Sequence, residues 1–393
     1  MDFNTSLFND LQSRKERLQN EMQKSGVDAC ILTTGVNVFY VAGSIYNGYF
    51  YLPAEGEAFH FLKRTTEAVL ENAIFIRKPE QIVEELEKRG LSLPKKVLLE
   101  VDTLSFTECS RLISSLQITE TVNASVLLRQ IRSVKSEFEI SQVRECAKKH
   151  VEVYKQIPHL YKKGMTDLEL QFEIEHLMRK HGSLGIFRSY GANMDIYMGS
   201  LLVGENAESP SPFDFALGGK GGNPILPLGA CGEAIKQGNA IMVDMAGNYG
   251  AWMTDMTRVF SVGKLSDLAY KAHKVSREIH EIIKQNTKQG TACADLYNTA
   301  MDLVRKNDLE AYFMGTKLQA KFVGHGVGLE INEPPVLTPR SKEVFISNTV
   351  FALEPKFVIP NVGAVGVENT YLVHDDSIEN LTVLEESIID LEK

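Results

Sequence analysis

Tryptophan, cysteine and clustered positive charge are all scarce in the 393-residue sequence, and each shortage excludes something. Cys30, Cys109, Cys146, Cys231 and Cys293 are odd in number and scattered. They form neither a disulfide framework nor a cysteine-type zinc site, which suits reduced thiols in a cytoplasm. Basic residues never gather into a tract, and 42 Lys+Arg against 51 Asp+Glu leave a formal net charge of −9. That balance argues against a nucleic-acid or anionic-membrane partner. No apolar run approaches the roughly 18–20 residues that a membrane span needs. The opening MDFNTSLFND has neither the basic region nor the apolar stretch of a secretory signal, so a cytoplasmic location is expected.

What is present is ordinary globular material, 44% apolar and 24% charged, long enough for two or three domains. An amphipathic helix carrying Leu11, Leu18 and Met22 runs up to Gly26. A buried strand over residues 27–32 follows, then a hairpin of 46–52 and 58–62 around the turn 53–57. Helix and strand signals alternate to about residue 128, the pattern of an α/β layer architecture. Arg129–Lys135 reads as a basic, exposed connector. Ser136 and Glu139 match a capping box, and the helix they open is expected to end at Lys162-Lys163-Gly164. Thr166 and Glu169 open another helix ending near His181, and two more cover about 266–287 and 292–306. We therefore expect an N-terminal domain over 1–130 and a C-terminal domain over 131–393.

The last 160 residues carry the chemistry. Ala240–Ala246 is an apolar run holding Asp244, and after a Gly247–Gly250 turn a second run holds Asp255. Val350–Pro355 holds Glu354 and Ala364–Glu368 holds Glu368, again two strand-like arms with one acid each. A lone carboxylate in an apolar strand is costly to desolvate, so four in matched pairs call for a counter-charge. Between the pairs lies Gly324-His325-Gly326-Val327-Gly328-Leu329, where glycines let backbone or substrate approach the imidazole closely. Four carboxylates and one imidazole suit a hydrolytic site of two divalent ions about 3.5–4 Å apart.

These residues and their flanking text resemble the creatinase/prolidase/methionine aminopeptidase ("pita-bread") superfamily. The matching text includes Thr254-Asp255-Met256-Thr257-Arg258 and Leu353-Glu354-Pro355. The connector Ile131–Ser136, with Glu139-Ile140 and Arg144, is similar to the usual entry to the catalytic domain. Gly26–Ala29 and Asn37–Tyr40 resemble the non-catalytic domain of Xaa-Pro peptidases and creatinase. The resemblance implies a pita-bread C-terminal domain behind a smaller creatinase-like α/β domain. It implies Asp244, Asp255, His325, Glu354 and Glu368 as ligands of two divalent ions, manganese or cobalt first, with zinc or iron as alternatives. Asp255 and Glu368 would bridge the ions, Asp244 would serve one and His325 with Glu354 the other. Glu354 would also shuttle the proton of a bridging hydroxide that attacks an amide C–N bond. The implied activity is that of an Xaa-Pro dipeptidase or aminopeptidase acting on small peptides, as a homodimer.

Three departures bear on how a substrate is held. Leu228 and Asn332 stand where such peptidases usually carry histidines, and Gly366 stands where an arginine is frequent. Asn332 can still donate to a carbonyl or oxyanion, which makes it a candidate catalytic and substrate-binding residue beside Leu228. The stretch 183–229 offers Arg188, Asn193, Asp195, Tyr197 and a glycine-rich segment as either a mobile surface loop or a specificity lid. Arg188 could hold a substrate carboxylate or make a surface salt bridge. Tyr40 and His60 could reach a partner subunit's site. Two alternatives stay open: hydrolysis of a small non-peptide amide or amidine, as in creatinase- or ectoine-hydrolase-like members, and a non-catalytic binding module.

Overall fold

A computed structural model describes residues 3–64, 70–191, 196–213 and 216–393. The chain divides into two compact units, Met1–Arg132 and Ser133–Lys393. The first contains α1 (Phe3–Lys24), β1 (Ala29–Leu32), α2 (Gly35–Ala42), β2 (Gly48–Pro53), β3 (Phe59–Leu62) and β4 (Ala73–Phe75). It continues with α3 (Glu80–Lys88), β5 (Lys96–Leu99), α4 (Phe106–Leu116), β6 (Glu120–Asn123) and α5 (Ala124–Ser133). Its six strands form one mixed sheet in the order β4-β3-β2-β1-β5-β6. β1 is buried along its whole length, which is why its sequence is a continuous apolar run. The hairpin expected around residues 53–57 is present, with Tyr51 opposite Phe59.

The second unit opens with α6 (Glu137–Tyr154) and α7 (Asp167–Lys180), each begun by the expected capping box. β7 (Gly199–Val203), β8 (Ala240–Gly247) and β9 (Thr254–Ser261) follow, then α8 (Asp267–Asn286) and α9 (Cys293–Lys306). The remaining strands are β10 (Gly324–Gly326), β11 (Glu333–Val336), β12 (Val350–Leu353), β13 (Lys356–Ile359), β14 (Gly363–Gly366), β15 (Asn369–Val373), β16 (Ile378–Asn380) and β17 (Ile389–Asp390). They assemble as β11-β10-β12-β15-β16, as β17-β9-β8-β7, and as the hairpin β13-β14. α8 turns Ala269, Ala272, Val275, Ile279 and Ile283 inward at helical spacing, against a core shared with Phe351, Phe357 and Val365. α6 and α7 pack Tyr154, Leu170 and Ile174 against the other face of the β7–β9 sheet. The architecture is α/β in both units, as the alternating pattern suggests for the first.

Two details differ from expectation. The helix opened at Ser136 stops at Tyr154, eight residues before Lys162. A 3-10 turn over Ile157–His159 follows, because Pro158 has no N–H to give and disfavours helical geometry at the residue before it. The connector 129–135 is mostly helix, and Arg132 and Lys135 are each 2% exposed. Burial is tolerated because Arg132 donates to Asn37 at 2.7 Å and Lys135 lies 3.1 Å from a Glu333 carboxylate oxygen. The five cysteines are all free. Among the described residues no helix is long and apolar enough to cross a membrane.

Candidate metal centre

The first two acids meet through strand register. In the β8–β9 hairpin Ala246 faces Asp255 and Asp244 faces Thr257, so Asp244 lies two positions from the cross-strand partner of Asp255. Residues two apart on a strand share a face, which turns both carboxylates to one side. β9 is then clamped to the start of β15. The Thr370 hydroxyl accepts from Asp255 N–H and donates to the Asp255 carbonyl, both at 2.8 Å. The buried Arg258 guanidinium donates to the carbonyls of Thr257 and Glu368 at 2.8 Å each, and the Thr257 hydroxyl donates to Glu368 Oε2 at 2.7 Å. These bonds set Glu368 beside Asp255.

The second pair of acids lies between two ladders. β12 pairs with β15 so that Leu353 faces Asn369, and β13 pairs with β14 so that Lys356 faces Gly366. Glu354 and Glu368 therefore sit opposite each other at the junction. Ser276 of α8 pins both flanks, donating to the Pro355 carbonyl at 2.7 Å and accepting from Val367 N–H at 2.9 Å. His325 is delivered by β10, which runs between β12 and β11. A Cβ at Gly324 would lie 2.1 Å from the Ala352 carbonyl oxygen, and one at Gly326 2.0 Å from that of Pro334. The flanking glycines thus make room for neighbouring backbone. His325 Nδ1 faces its neighbour's carbonyl at 3.1 Å, leaving Nε2 3.3 Å from Glu354 Oε1 and 3.8 Å from Asp255 Oδ2.

Asp244, Asp255, His325, Glu354 and Glu368 accordingly line one cavity of about 120 Å³. Donor atoms of Asp255, His325 and Glu368 all lie within 4.8 Å of one another. Glu368 Oε1 is buried with no hydrogen-bond partner among the described residues. A residue with such an oxygen, grouped with an imidazole and another carboxylate, fits one divalent cation, and this donor set is of the kind that manganese, cobalt, zinc and iron accept.

The other half of the cluster is already filled. Lys356 Nζ stands 2.8 Å from Asp244 Oδ2, 2.8 Å from Glu354 Oε2 and 2.9 Å from Glu368 Oε2, and the side chain is 1% exposed. A second divalent ion among those three oxygens does not fit while the ammonium is there. The electrostatics are correspondingly lopsided. Burial would raise Glu354, but Lys356 and His325 outweigh it and hold that carboxyl down at about 2. Burial would weaken the Lys356 ammonium, yet Asp244, Glu354 and Glu368 keep its pKa well above the usual range. Across the cluster, burial pushes Asp255 well above the carboxylate range, with help from Glu368 and Asp244. Burial likewise lifts Glu368 to about 8, against the pull of Lys356 and with help from Glu354 and Asp244. The Asp255–Glu368 side is the one short of positive charge.

The substrate-binding expectations fare differently. Leu228 and Asn332 line the cavity. The Asn332 amide, however, brackets Tyr190, accepting from its N–H at 2.8 Å and donating to its carbonyl at 3.0 Å. It holds down the segment that contributes Phe187 and Ser189 to the cavity lining. The Arg188 guanidinium donates to the Leu329 carbonyl at 2.6 Å. Tyr40 is corrected: it is fully buried, its hydroxyl accepting from Arg17 at 2.9 Å. His60 is a core residue bonded to the Tyr46 hydroxyl, and burial lowers its pKa to about 4. Asn193 and Asp195 lie outside the described residues. Lys356 and Thr257 were not singled out from sequence. A cation two residues beyond Glu354 in the apolar run Phe357-Val358-Ile359 was the available signal, by the same argument that marked the acids.

Known proteins bear on this arrangement. Residues 14–134 match the Creatinase/Prolidase N-terminal domain and residues 141–375 match Metallopeptidase family M24. The chain is 23% identical over 382 residues to an Xaa-Pro dipeptidase of Pyrococcus horikoshii, covering 96% of this chain and 99% of that protein. It is 25% identical over 387 residues to an uncharacterized peptidase of Staphylococcus aureus, covering 93% and 97%. The solved structure of an Xaa-Pro dipeptidase from Bacillus anthracis superposes with a TM-score of 0.80 at 21% identity, covering 97% of this chain and 99% of that one. The pita-bread fold with a creatinase-like N-terminal domain is thereby established, and the chain belongs to the M24 family of metallopeptidases.

Proposed function

We propose that the protein hydrolyses the amide C–N bond of small peptides, with Xaa-Pro dipeptides the first class to test. The observation that carries this is the convergence in one cavity of Asp255, His325 and Glu368, whose Oε1 has no hydrogen-bond partner among the described residues. Of the two ions that the resemblance implies, we propose that one is held by these three residues, with manganese or cobalt first. A divalent ion there supplies Lewis-acid polarisation of a carbonyl and acidifies water. The remaining work falls to the chain. Glu354, kept ionised by Lys356, accepts a proton from water at Oε1 and returns it to the departing amine. Phe187, Ile196, Leu217, Leu228, Phe322 and Ile331 form an apolar wall that excludes water around the scissile bond.

Peptide substrates are favoured by the approach to the cavity. A neighbouring hollow of about 710 Å³ shares Ala216, Leu217 and Phe322 with it and carries Lys317, Lys321 and Arg340. Cations lining that hollow suit a substrate that ends in a carboxylate. A second reading, a small non-peptide amide, is favoured by Leu228, which offers the substrate no hydrogen bond. Turnover of an Xaa-Pro dipeptide panel against simple amides and amidines, in Mn²⁺ and in chelator, separates the two. Chelator-sensitive cleavage of Xaa-Pro bonds supports the first reading, and cleavage of the small amides alone supports the second. Hydrolysis that chelator leaves untouched overturns both.

A further inference from the structure

We infer that Lys356 is a built-in cation taking the place of one metal ion, so that the centre holds a single divalent ion beside a tethered ammonium. This rests on the metal-dependent reading above and changes its stoichiometry. Three independent features support it. Lys356 Nζ is within 2.9 Å of one oxygen from each of Asp244, Glu354 and Glu368, a three-carboxylate cage of the kind that otherwise gathers a metal. The backbone makes room for it: Gly366 lies directly across the β13–β14 ladder from Lys356. A Cβ at Gly366 would come within 2.7 Å of the Pro355 carbonyl oxygen and 2.9 Å of Lys356 Cα, at a φ of +150°. A long side chain at 366 and the observed path of Lys356 are thus hard to accommodate together. Finally, the Glu368 carboxylate is divided, with Oε2 taken by Lys356 and Thr257 while Oε1 has no hydrogen-bond partner among the described residues. One oxygen serves the ammonium and the other is left for one ion. Four carboxylates, one ammonium and one dication leave the cluster with a single residual negative charge, so a second dication is not needed for near-neutrality.

The division of donors gives distinct expectations for variants. Asp244 faces the ammonium, whereas His325 faces the ion. Metal content of the full-length protein, loaded with Mn²⁺ alone and freed of excess, reads the stoichiometry without any substrate. The expected result is one equivalent for the unaltered protein, one for Asp244→Asn and none for His325→Ala. Lys356→Ala opens the second cage and is expected to take up two. Should Lys356→Ala fail to fold, the contrast between Asp244→Asn and His325→Ala still decides. Two equivalents in the unaltered protein, one in Lys356→Ala, or loss of the ion from Asp244→Asn would overturn the inference. No metal at all in the unaltered protein would overturn the metal-dependent reading itself.

Discussion

Asp255, His325 and Asn332 show how differently three polar side chains in one cavity are employed. Asp255 and His325 keep atoms near a shared point, whereas both ends of the Asn332 amide bond to the Tyr190 backbone. Replacing Asn332 with alanine removes two hydrogen bonds and leaves backbone groups to find water, at a cost of about 1–3 kcal/mol. We expect a lower Tm and faster proteolysis near residues 188–191, with metal content unchanged. A proteolysis time course checks this, and a variant that loses metal while its loop stays protected would contradict it. Asn332 was readable from sequence as a polar residue near the site. Its bonds to the Tyr190 backbone depend on where that segment folds back, which no local pattern encodes.

At the scale of elements, the site is set by strand register and by a few side chains that lock one strand to the next. Thr370 is the clearest case, since its hydroxyl makes both bonds to the Asp255 backbone. Thr370→Val removes them with little change of shape and should weaken Mn²⁺ binding by roughly 10–100-fold, with Thr370→Ser retaining most of it. Titration calorimetry on the three proteins tests the point. The capping box at Ser136 concerns stability alone. Its hydroxyl accepts from Glu139 N–H at 3.2 Å, so Ser136→Ala should cost ~1 kcal/mol and lower Tm without altering metal content. Both capping boxes and the acid-bearing β8–β9 hairpin were legible because they depend on spacings of three to eleven residues. The β8–β9 arms are one hairpin, as their short turn suggests. Glu354 and Glu368 instead flank a nested pair of ladders, β12–β15 outside β13–β14. The stop at Tyr154 was also legible in Pro158, had that residue been weighed above the Lys-Lys-Gly signal.

For the whole molecule, the acidic balance acquires a structural meaning. Four of the 51 acids and one of the 42 bases meet at a single buried centre, so part of the formal charge of −9 does not belong to the surface. Burying that many charges is tolerable only when they compensate one another, and one positive group is short on the Asp255–Glu368 side. A bound ion should therefore stabilise the fold by mass action, about 2.7 kcal/mol at a concentration a hundredfold above Kd. Removing it with chelator should lower Tm, and adding it back should restore the transition. The exposed connector expected at 129–135 shows the limit of composition as a guide: buried Arg132 and Lys135 look like surface residues until their partners Asn37 and Glu333 are known. The central claim is that one divalent ion on Asp255, His325 and Glu368 supports amide hydrolysis. Its most direct test is recovery of Xaa-Pro dipeptide cleavage as chelated protein is titrated with Mn²⁺. We expect activity to rise linearly and break at one equivalent; cleavage by the metal-free protein, or none at any Mn²⁺ level, would contradict the account.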